Sequence, residues 1–275
     1  MRNLLPRRIS FWSFIAVGIA VAISICGLVV DAEPVPVHYR AGTIHAFLEM
    51  RSEDGHVLAS GDLVQVAHGD QITARTTFRF TDGSIDEETT VFSQRHDFRL
   101  ISDHHVQKGP FFPHPMDILI DSAKSQVTVR STEKDGKDET KTKHLALAPD
   151  LTNGMVPTVI ENILPDAPQT TVSMLVFTPD PRLVKLAISH QGEDLFSVAG
   201  ASHQGIHYEI KIELGGMAGV TAPLIGKQPP NIQLWIIGGQ APTFVKEQGP
   251  IYADGPILTI ELASPVWPDS HKEGE

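Results

Sequence analysis

The chain has 275 residues, of which 41% are hydrophobic and 20% are charged, and its formal net charge at pH 7 is −11. This acidity does not favour nucleic acid or an anionic membrane surface as a partner, so we predict neither. Its only cysteine, Cys26, lies in an N-terminal apolar run that export would remove. Disulfides, thiol nucleophiles and cysteine metal sites are therefore excluded for the rest of the chain.

Residues 1–32 have the pattern of an export signal. Three arginines precede an uncharged apolar run from Ile9 to Val30, and the small residue Ala32 favours cleavage after it. The run has 22 residues, which is also enough to span a bilayer, so an uncleaved N-terminal membrane anchor is the alternative. We expect a periplasmic or secreted protein, tethered to the inner membrane only through residues 9–30 if the segment is retained.

Removal of residues 1–32 would change the formal net charge from −11 to −13, since three arginines and one aspartate leave with them. The remaining residues, 33–275, are numerous enough to bury a substantial core without cross-links. No proline-rich linker or low-complexity block divides them. We therefore predict a single exported all-β domain over residues 33–275.

The first strands form two predicted hairpins. Stretches from Gly42 to Phe47 and from His56 to Ala67 flank an Asp-Gly turn, which is typical of a hairpin. The stretch from Ile72 to Phe80 then alternates apolar residues with threonine and arginine, which is the period of a half-buried strand. A second Asp-Gly turn follows at Asp82 and predicts that the next strand pairs with this one.

An acidic run, Asp86-Glu87-Glu88, comes directly after that turn. If the turn has the two-residue type I′ form, Arg79 lies opposite Asp86 and Thr77 lies opposite Glu88. Alternation then sends Glu87 to the other face of the strand. Cross-strand pairing is our interpretation of these carboxylates, and metal binding is the alternative.

The next predicted strands run from Phe98 to Val106, from Met116 to Ile120 and from Val127 to Arg130, and a highly charged, solvated hairpin follows around Asp135-Gly136. The densest histidine cluster is Asp103-His104-His105, with His114 and Asp117 nearby. Neighbouring residues on a strand point to opposite faces, so His104 and His105 are poorly placed to share one ion. We predict no metal site and no cofactor.

Apolar residues recur at helical spacing only between Asp150 and Pro165. Thr158, Glu161 and Asn162 lie opposite them, as expected for an amphipathic helix, and Asp150 or Asn153 can cap its start. We predict a helix from Asn153 to Leu164 packed on the sheet. Its apolar residues span an arc of about 140°; they are Met155, Val156, Val159, Ile160 and Ile163.

Beyond this helix, nearly continuous apolar runs from Val172 to Phe177 and from Leu183 to Ile188 predict two central strands. Clean alternation from Ile206 to Leu214 predicts one buried and one solvated face, with His203 and His207 on the surface. A Gly/Pro-rich loop at 215–230 precedes strands at Ile232–Ile237 and Ile257–Leu262. About a dozen strands result. The predicted fold class is mainly β, a curved antiparallel sheet or open barrel with one packed amphipathic helix.

Three stretches carry a resemblance to exported bacterial proteins of unknown function: Phe78 to Phe92, Arg99 to His105, and Gly226 to Pro230. The likeness covers most of residues 33–275. More distantly, the chain is similar to the DUF3108-type exported β-proteins. That resemblance implies export and an architecture like the open barrels of lipoprotein carriers, and it assigns no catalytic residue.

For function, no Gly-x-Ser-x-Gly motif or phosphate-binding loop occurs, and we predict that the protein is not an enzyme. The first hypothesis is non-catalytic binding of a lipid or another hydrophobic, envelope-derived ligand in a half-barrel cavity. Its ligand-binding residues would be Met155, Val156, Val159, Ile160 and Ile163. A structural or protein-interaction module of the cell envelope, partnered by another envelope protein, is the alternative. A metal-dependent enzyme using His104 and His114 is the third.

Overall fold

The computed structural model describes residues 33–132, 138–176, 181–198, 200–213 and 229–263. The predicted export segment, the tip of the charged hairpin around Asp135 and nearly all of the 215–230 loop lie outside these residues. The division into residues 1–32 and one domain over 33–275 stays a prediction. Among the described residues, none of the helical segments is long and apolar enough to cross a membrane.

The first half of the described chain contains eight consecutive strands. The strand pairs of the three hairpins predicted there are present, and most strands extend further at their ends than the sequence indicated. The strands are β1 (Ile44–Ser52), β2 (Val57–His68), β3 (Gln71–Phe80), β4 (Ile85–Gln94), β5 (Phe98–Lys108), β6 (Met116–Asp121), β7 (Gln126–Thr132) and β8 (Asp138–His144).

One short helix and six further strands follow. Apolar patterning had indicated only part of β10 and did not predict β13, which is short and bounded by proline residues. The elements are α1 (Val156–Ile160), β9 (Thr170–Val176), β10 (Arg182–Val198), β11 (Ala201–Glu213), β12 (Ile232–Ile237), β13 (Thr243–Gly249) and β14 (Leu258–Leu262).

These strands form one 14-stranded sheet in which every pair of neighbours is antiparallel. Strands β1 to β8 form one meander and β9 to β14 form a second, and pairing of β1 with β14 joins them. The two ends of the sheet are β8 and β9. The predicted fold class, a curved antiparallel sheet with one packed helix, is confirmed.

One face of this sheet, which we call the inner face, carries two groups of buried apolar side chains. The larger group combines α1 with residues from both meanders, including Ile72, Phe92 and Tyr208. The smaller group is rich in aromatic rings and includes Phe78, Phe80 and Phe112. Leu63 and Phe244 pack against both groups but are only partly buried. The inner face therefore has two buried apolar regions, and the residues shared between them are only partly buried.

The predicted helix from Asn153 to Leu164 is wrong in length, because α1 has only five residues. Gly154 has a φ of +65°, a left-handed conformation that a regular helix does not contain. No side chain caps the start of α1. After Ile160 the backbone hydrogen bonds close over three residues, from the amide of Ile163 to the carbonyl of Ile160, so the helix does not continue.

The residues expected to cap the helix instead cover the edge of the sheet at β9. The Asn153 amide accepts a hydrogen bond from the Leu175 amide at 2.8 Å and donates one to the Leu175 carbonyl at 2.9 Å. Asp150 accepts from the Ser173 hydroxyl at 2.9 Å and lies 3.3 Å from the Lys185 ammonium. The prediction that β9 is a central strand is therefore wrong. It is an edge strand whose free backbone groups are satisfied by this segment.

The polar side of α1 is also covered, whereas the sequence pattern placed it in solvent. The Asn162 carbonyl oxygen accepts hydrogen bonds from the backbone amides of His38 and Tyr39, at 2.8 and 2.6 Å. A Glu161 carboxylate oxygen accepts one from the Phe244 amide at 2.7 Å. Residues before β1 and the start of β13 thus hold the helix in the interior.

Candidate functional site: a carboxylate and histidine row inside the sheet

The register of the β3–β4 hairpin differs by one residue from the prediction. The Phe80 amide donates to the Ser84 carbonyl at 2.9 Å, and the Phe80 carbonyl accepts from the Gly83 amide at 3.1 Å. Gly83 has a φ of +88°, and the turn is longer than the two-residue type I′ form. Phe78 consequently pairs with Asp86, and Thr76 pairs with Glu88. Since a slip of one residue exchanges the two faces of a strand, Asp86 and Glu88 lie on the inner face.

Glu87 lies on the outer face, where its carboxylate contacts the Arg75 guanidinium at 2.6 Å. The predicted pairing of Arg79 with Asp86 is wrong, and Arg79 lies 3.4 Å from Asp62 instead. Cross-strand pairing therefore accounts for Glu87 but not for its two neighbours. Asp86 and Glu88 face the interior of the protein without an arginine or lysine opposite them.

A register shift in the β4–β5 pair decides which residues of the histidine cluster face inward. Phe92 pairs with Leu100 and Val91 pairs with Ser102, so one extra residue, Ile101, is inserted in β5. Such a bulge reverses the alternation of faces beyond it. As a result, the inward-facing residues are Phe98 and Leu100 before the bulge and Asp103 and His105 after it.

His104 points outward, and its ring lies 2.9 Å from the Asp117 carboxylate. His114 is exposed in the connection between β5 and β6. The expectation that His104 and His105 point to opposite faces is therefore confirmed. Among the described residues, no group of three or more histidine, cysteine, aspartate or glutamate side chains has an arrangement that could hold a metal ion.

The inward-facing His105 ring lies between two carboxylates. Its Nε2 is 2.6 Å from Asp86 Oδ1, and its Nδ1 is 3.6 Å from Glu88 Oε1. Gln107 donates from Nε2 to Asp86 Oδ2 at 3.0 Å and to the Ile251 carbonyl at 3.0 Å. The amide of Gln107 thereby fixes the Asp86 carboxylate from the side opposite the histidine and ties it to the connection between β13 and β14.

Asp103 is completely buried next to this group. Its Oδ1 accepts a hydrogen bond from the Thr90 hydroxyl at 2.8 Å, and its Oδ2 has no hydrogen-bond partner among the described residues. The backbone at Gly154 presses against the same pair, because a Cβ there would lie 1.8 Å from Thr90 Oγ1 and 2.8 Å from Asp103 Oδ1. The segment before α1 therefore packs directly on this part of the sheet.

A fourth carboxyl group comes from β13, in the other meander. Glu247 pairs with Leu234 and with Ile260. Burial raises its pKa to about 7, and its charge in turn contributes to the raised pKa of Glu88. Residues from β4, β5 and β13 therefore share one electrostatic environment although they are far apart in sequence.

The pKa values of this group reflect burial and crowding of like charges. Burial, with the nearby Glu88 carboxylate, raises the pKa of Asp103 to about 8. Burial is also the largest cause of the raised pKa of Glu88, and His105 opposes it. Burial disfavours the charged form of His105, but Glu88 and Asp86 outweigh this and raise its pKa to about 9. The site thus holds a charged imidazole and retains protons on carboxyl groups near neutral pH.

Two members of this group, Glu88 and His105, align with residues of β2 and β3 that are also not fully buried. Leu63, Thr76, Glu88 and His105 pair in succession across β2, β3, β4 and β5, and we call this set the inner row. All four are half-buried, and Glu88 keeps 25% of its side-chain surface accessible. Glu88 therefore combines a pKa raised by burial with side-chain surface that is still accessible.

The five ligand-binding residues predicted from the sequence lie in the larger apolar group. Met155, Val159 and Ile160 are at most 1% exposed and Ile163 is 7% exposed, while Val156 is partly buried. The Tyr208 hydroxyl donates to the Ile163 carbonyl at 3.1 Å and holds the end of this segment. Their role in ligand binding stays a prediction.

The residues of the polar site were noticed in the sequence only as separate patterns. The acidic run and the histidine cluster were both found, but a loop of one extra residue and a bulge decide which members face inward. Glu247 lies in a strand that was not predicted, so no sequence signal pointed to it. His203 and His207 are half-buried rather than on the surface, and His207 stacks on Trp235 at 4.6 Å.

Comparisons with known proteins were made for the whole chain. No protein-family model matches it, and no curated protein matches it. The chain is similar to the crystal structure of a beta-barrel-like protein of a domain of unknown function, DUF1849, from Brucella abortus. The two chains are 10% identical, with a TM-score of 0.46, over 83% of this chain and 99% of the other. The resemblance to DUF3108-type proteins and the export of this chain stay predictions.

Proposed function

We propose that this is a non-catalytic exported protein that binds a lipid or another hydrophobic, envelope-derived molecule against the inner face of its curved sheet. The observation that carries this proposal is the partly accessible inner row between two buried apolar groups. Leu63 and Phe244 pack against both groups and keep accessible surface. Binding sites for small hydrophobic ligands are typically concave and mostly apolar, with a few polar groups that orient the ligand.

Elements at both ends of the interior support the same proposal. Towards one end, α1 and the residues before β1 fill the space. Towards the other, Phe111 and Phe112 pack on Phe80 with ring centroids 4.5 and 5.4 Å away, and Tyr252 packs on Phe111 at 6.1 Å. Apolar side chains on both sides of a partly accessible band would hold an apolar ligand out of water.

The five predicted ligand-binding residues are part of this proposal as the apolar floor of the site. They belong to the larger apolar group, which borders the inner row through Leu63 and Phe244. Val156 is the member with more than marginal accessible surface. Among the five residues, Val156 is the one that a ligand could contact without a shift of α1.

The test is to purify the protein gently from its native envelope and to identify bound molecules by native mass spectrometry and solvent extraction. We expect a copurifying hydrophobic molecule in the wild type. A Thr76→Trp variant, which fills the inner row with an indole ring, should lose that molecule. The matched control is Arg75→Trp, which places the same ring on the outer face of β3 and should retain it. Wild-type protein that carries no extractable ligand would contradict the proposal.

The alternative named from the sequence is an envelope interaction module, and such a module would use sheet edges or the 215–230 loop. At β9 the edge is covered by the segment from Asp150 to Asn153. Nearly all of the loop lies outside the described residues. Interaction with an envelope protein therefore remains a second proposal, and the inner row gives it no support.

A further inference from the structure

The inner face carries more negative groups than positive ones around the inner row. Among the described residues, Asp86, Glu88 and Asp103 lie around one imidazole, that of His105, and the charge of Glu247 acts on Glu88. Charged groups in a protein interior are normally paired, because an unpaired buried charge is costly. One imidazolium cannot balance four carboxyl groups. Without a ligand, the balance can come only from protons held on the carboxyl groups.

An unused acceptor lies in the same place. Asp103 is 0% exposed, and its Oδ2 has no hydrogen-bond partner among the described residues, although Oδ1 is fixed by Thr90. Thr90 and Asp103 pair directly, and Glu88 and His105 are the next inward-facing pair along the same two strands. The unpaired oxygen therefore belongs to the group that lines the inner row. A buried acceptor of this kind is satisfied when a hydrogen-bond donor enters.

The surroundings of these carboxyl groups are apolar on both sides. Thr90 lies between Glu88 and the fully buried Phe92 along β4, and Asp86 pairs with Phe78 of the aromatic group. A small hydrated cation would leave these apolar walls without a partner. A ligand with a charged donor at one point and an apolar body would satisfy both parts of the site.

We propose that the inner row binds the ammonium group of an amine-bearing amphiphile, with the apolar body of the ligand against the neighbouring apolar groups. This inference rests on the proposed function and specifies the chemical class of its ligand. Glu88 and Asp103 are the residues that contact the ammonium group. Glu247 and Asp86 contribute negative charge, and Asp86 stays engaged with His105 and Gln107.

An ammonium group suits this site better than the other common head groups do. It carries a positive charge and three donors, so it can contact several carboxylates at once. A fatty acid would bring another negative charge next to Glu88. An alcohol has one donor and no charge. A bare metal ion is disfavoured because the described residues contain no suitable group of three ligands.

The experiment compares octylamine, 1-octanol and octanoate at neutral pH, by isothermal titration calorimetry on the purified protein. These probes share the same chain and differ only in the head group. We expect octylamine to bind roughly tenfold or more tightly than octanol, the usual size of one charge-assisted hydrogen bond, and octanoate to bind most weakly. This series uses wild-type protein, so it does not depend on whether any variant folds.

Matched variants separate the site from the general acidity of the chain. Glu88→Gln and Asp103→Asn should each reduce the ratio of octylamine to octanol affinity by about tenfold. Glu87→Gln removes a carboxylate from the adjacent position on the outer face and should leave that ratio unchanged. Thermal unfolding of each variant checks that the fold is retained.

Each outcome bears on one of the two proposals. Equal affinity for octylamine and octanol would overturn this inference and leave hydrophobic binding in place. Failure of all three probes to bind would contradict the proposed function itself for ligands with an alkyl chain of this length. An amine preference that survives in both Glu88→Gln and Asp103→Asn would reflect general attraction of cations to an acidic protein, and it would also overturn the inference.

Discussion

Two neighbouring regions of the inner face use the same strands in opposite ways. Ile72, Phe92 and Leu100 pair in succession across β3, β4 and β5 and are 0 to 7% exposed. Two pairs further along the same strands, Thr76, Glu88 and His105 pair in the same manner, but they are polar and partly accessible. The difference shows that the face of a strand does not decide whether a residue belongs to a core or to a site.

The two regions also differ in what they contribute to stability. Burying an apolar side chain such as Phe92 stabilises the folded chain by roughly 2 to 3 kcal/mol. Burying Asp103 without an ion partner does the reverse, since its carboxyl group keeps its proton up to a pKa of about 8. We infer that burial in the apolar region stabilises the fold. This burial also offsets the loss of stability that the buried carboxyl groups of the polar region cause.

The largest effect is expected from Gly154→Ala, at the point where the two regions meet. Gly154 has a φ of +65°, and an added Cβ would lie 1.8 Å from Thr90 Oγ1. The substitution must shift Thr90 and disturb its hydrogen bond to Asp103. We expect a loss of roughly 3 kcal/mol in the free energy of unfolding, measured by urea denaturation.

Gly69→Ala provides the matched control for this prediction. Gly69 has a nearly identical φ of +62°, but an added Cβ would meet nothing within 4 Å. Only the backbone strain remains, so the expected loss is about 1 kcal/mol. Equal losses in the two variants would mean that the backbone before α1 does not press on Thr90 and Asp103.

An intermediate effect is expected from Asp103→Asn, and it should depend on pH. The pKa of Asp103 is raised to about 8 in the folded protein from the ordinary value of 3.8. The folded chain therefore binds a proton that the unfolded chain releases, and stability from this group is lost as the pH rises from about 4 to about 8. Asparagine keeps the Thr90 hydrogen bond and cannot ionise. The variant should gain about 2 kcal/mol over wild type at pH 9 relative to pH 6.5.

Thermal unfolding of both proteins between pH 4 and pH 9 measures this difference. Asp121→Asn is the control, because Lys124 lowers the pKa of Asp121 and its ionisation affects stability only at acidic pH. That variant should keep a constant offset from wild type above pH 5. If the Asp103→Asn curve is equally parallel to wild type, Asp103 does not hold a proton in the folded protein.

The smallest effect concerns the register that separates the inner and outer faces. A double-mutant cycle on Arg75 and Glu87, with alanine at each position, should give a coupling energy of about 0.5 kcal/mol, as for other exposed ion pairs. The same cycle on Arg79 and Asp86 should give nearly none. Urea denaturation measures both. Coupling between Arg79 and Asp86 would support the two-residue turn and would remove Asp86 and Glu88 from the inner face.

Local patterns predicted most strands because alternation and turn residues act over a few positions. The β1–β2 hairpin and the β5 to β7 strands were identified from their apolar periodicity and Asp-Gly or serine-rich turns. The helix was located correctly but made too long. Its apolar spacing continues past Ile160, whereas Gly154 and the pairing of Asn153 with β9 limit its start. Periodicity indicates where a helix is favourable, and tertiary contacts decide how many residues form it.

The sequence by itself determined the fold class and the presence of an acidic run and a histidine cluster. These follow from composition and from patterns within about ten residues. Only the tertiary structure decided that Asp86, Glu88, Asp103, His105 and Glu247 lie together. The physical reason is that one additional loop residue at Gly83 and one additional residue at Ile101 each exchange the two faces of a strand, and that Glu247 reaches the same interior from the other meander.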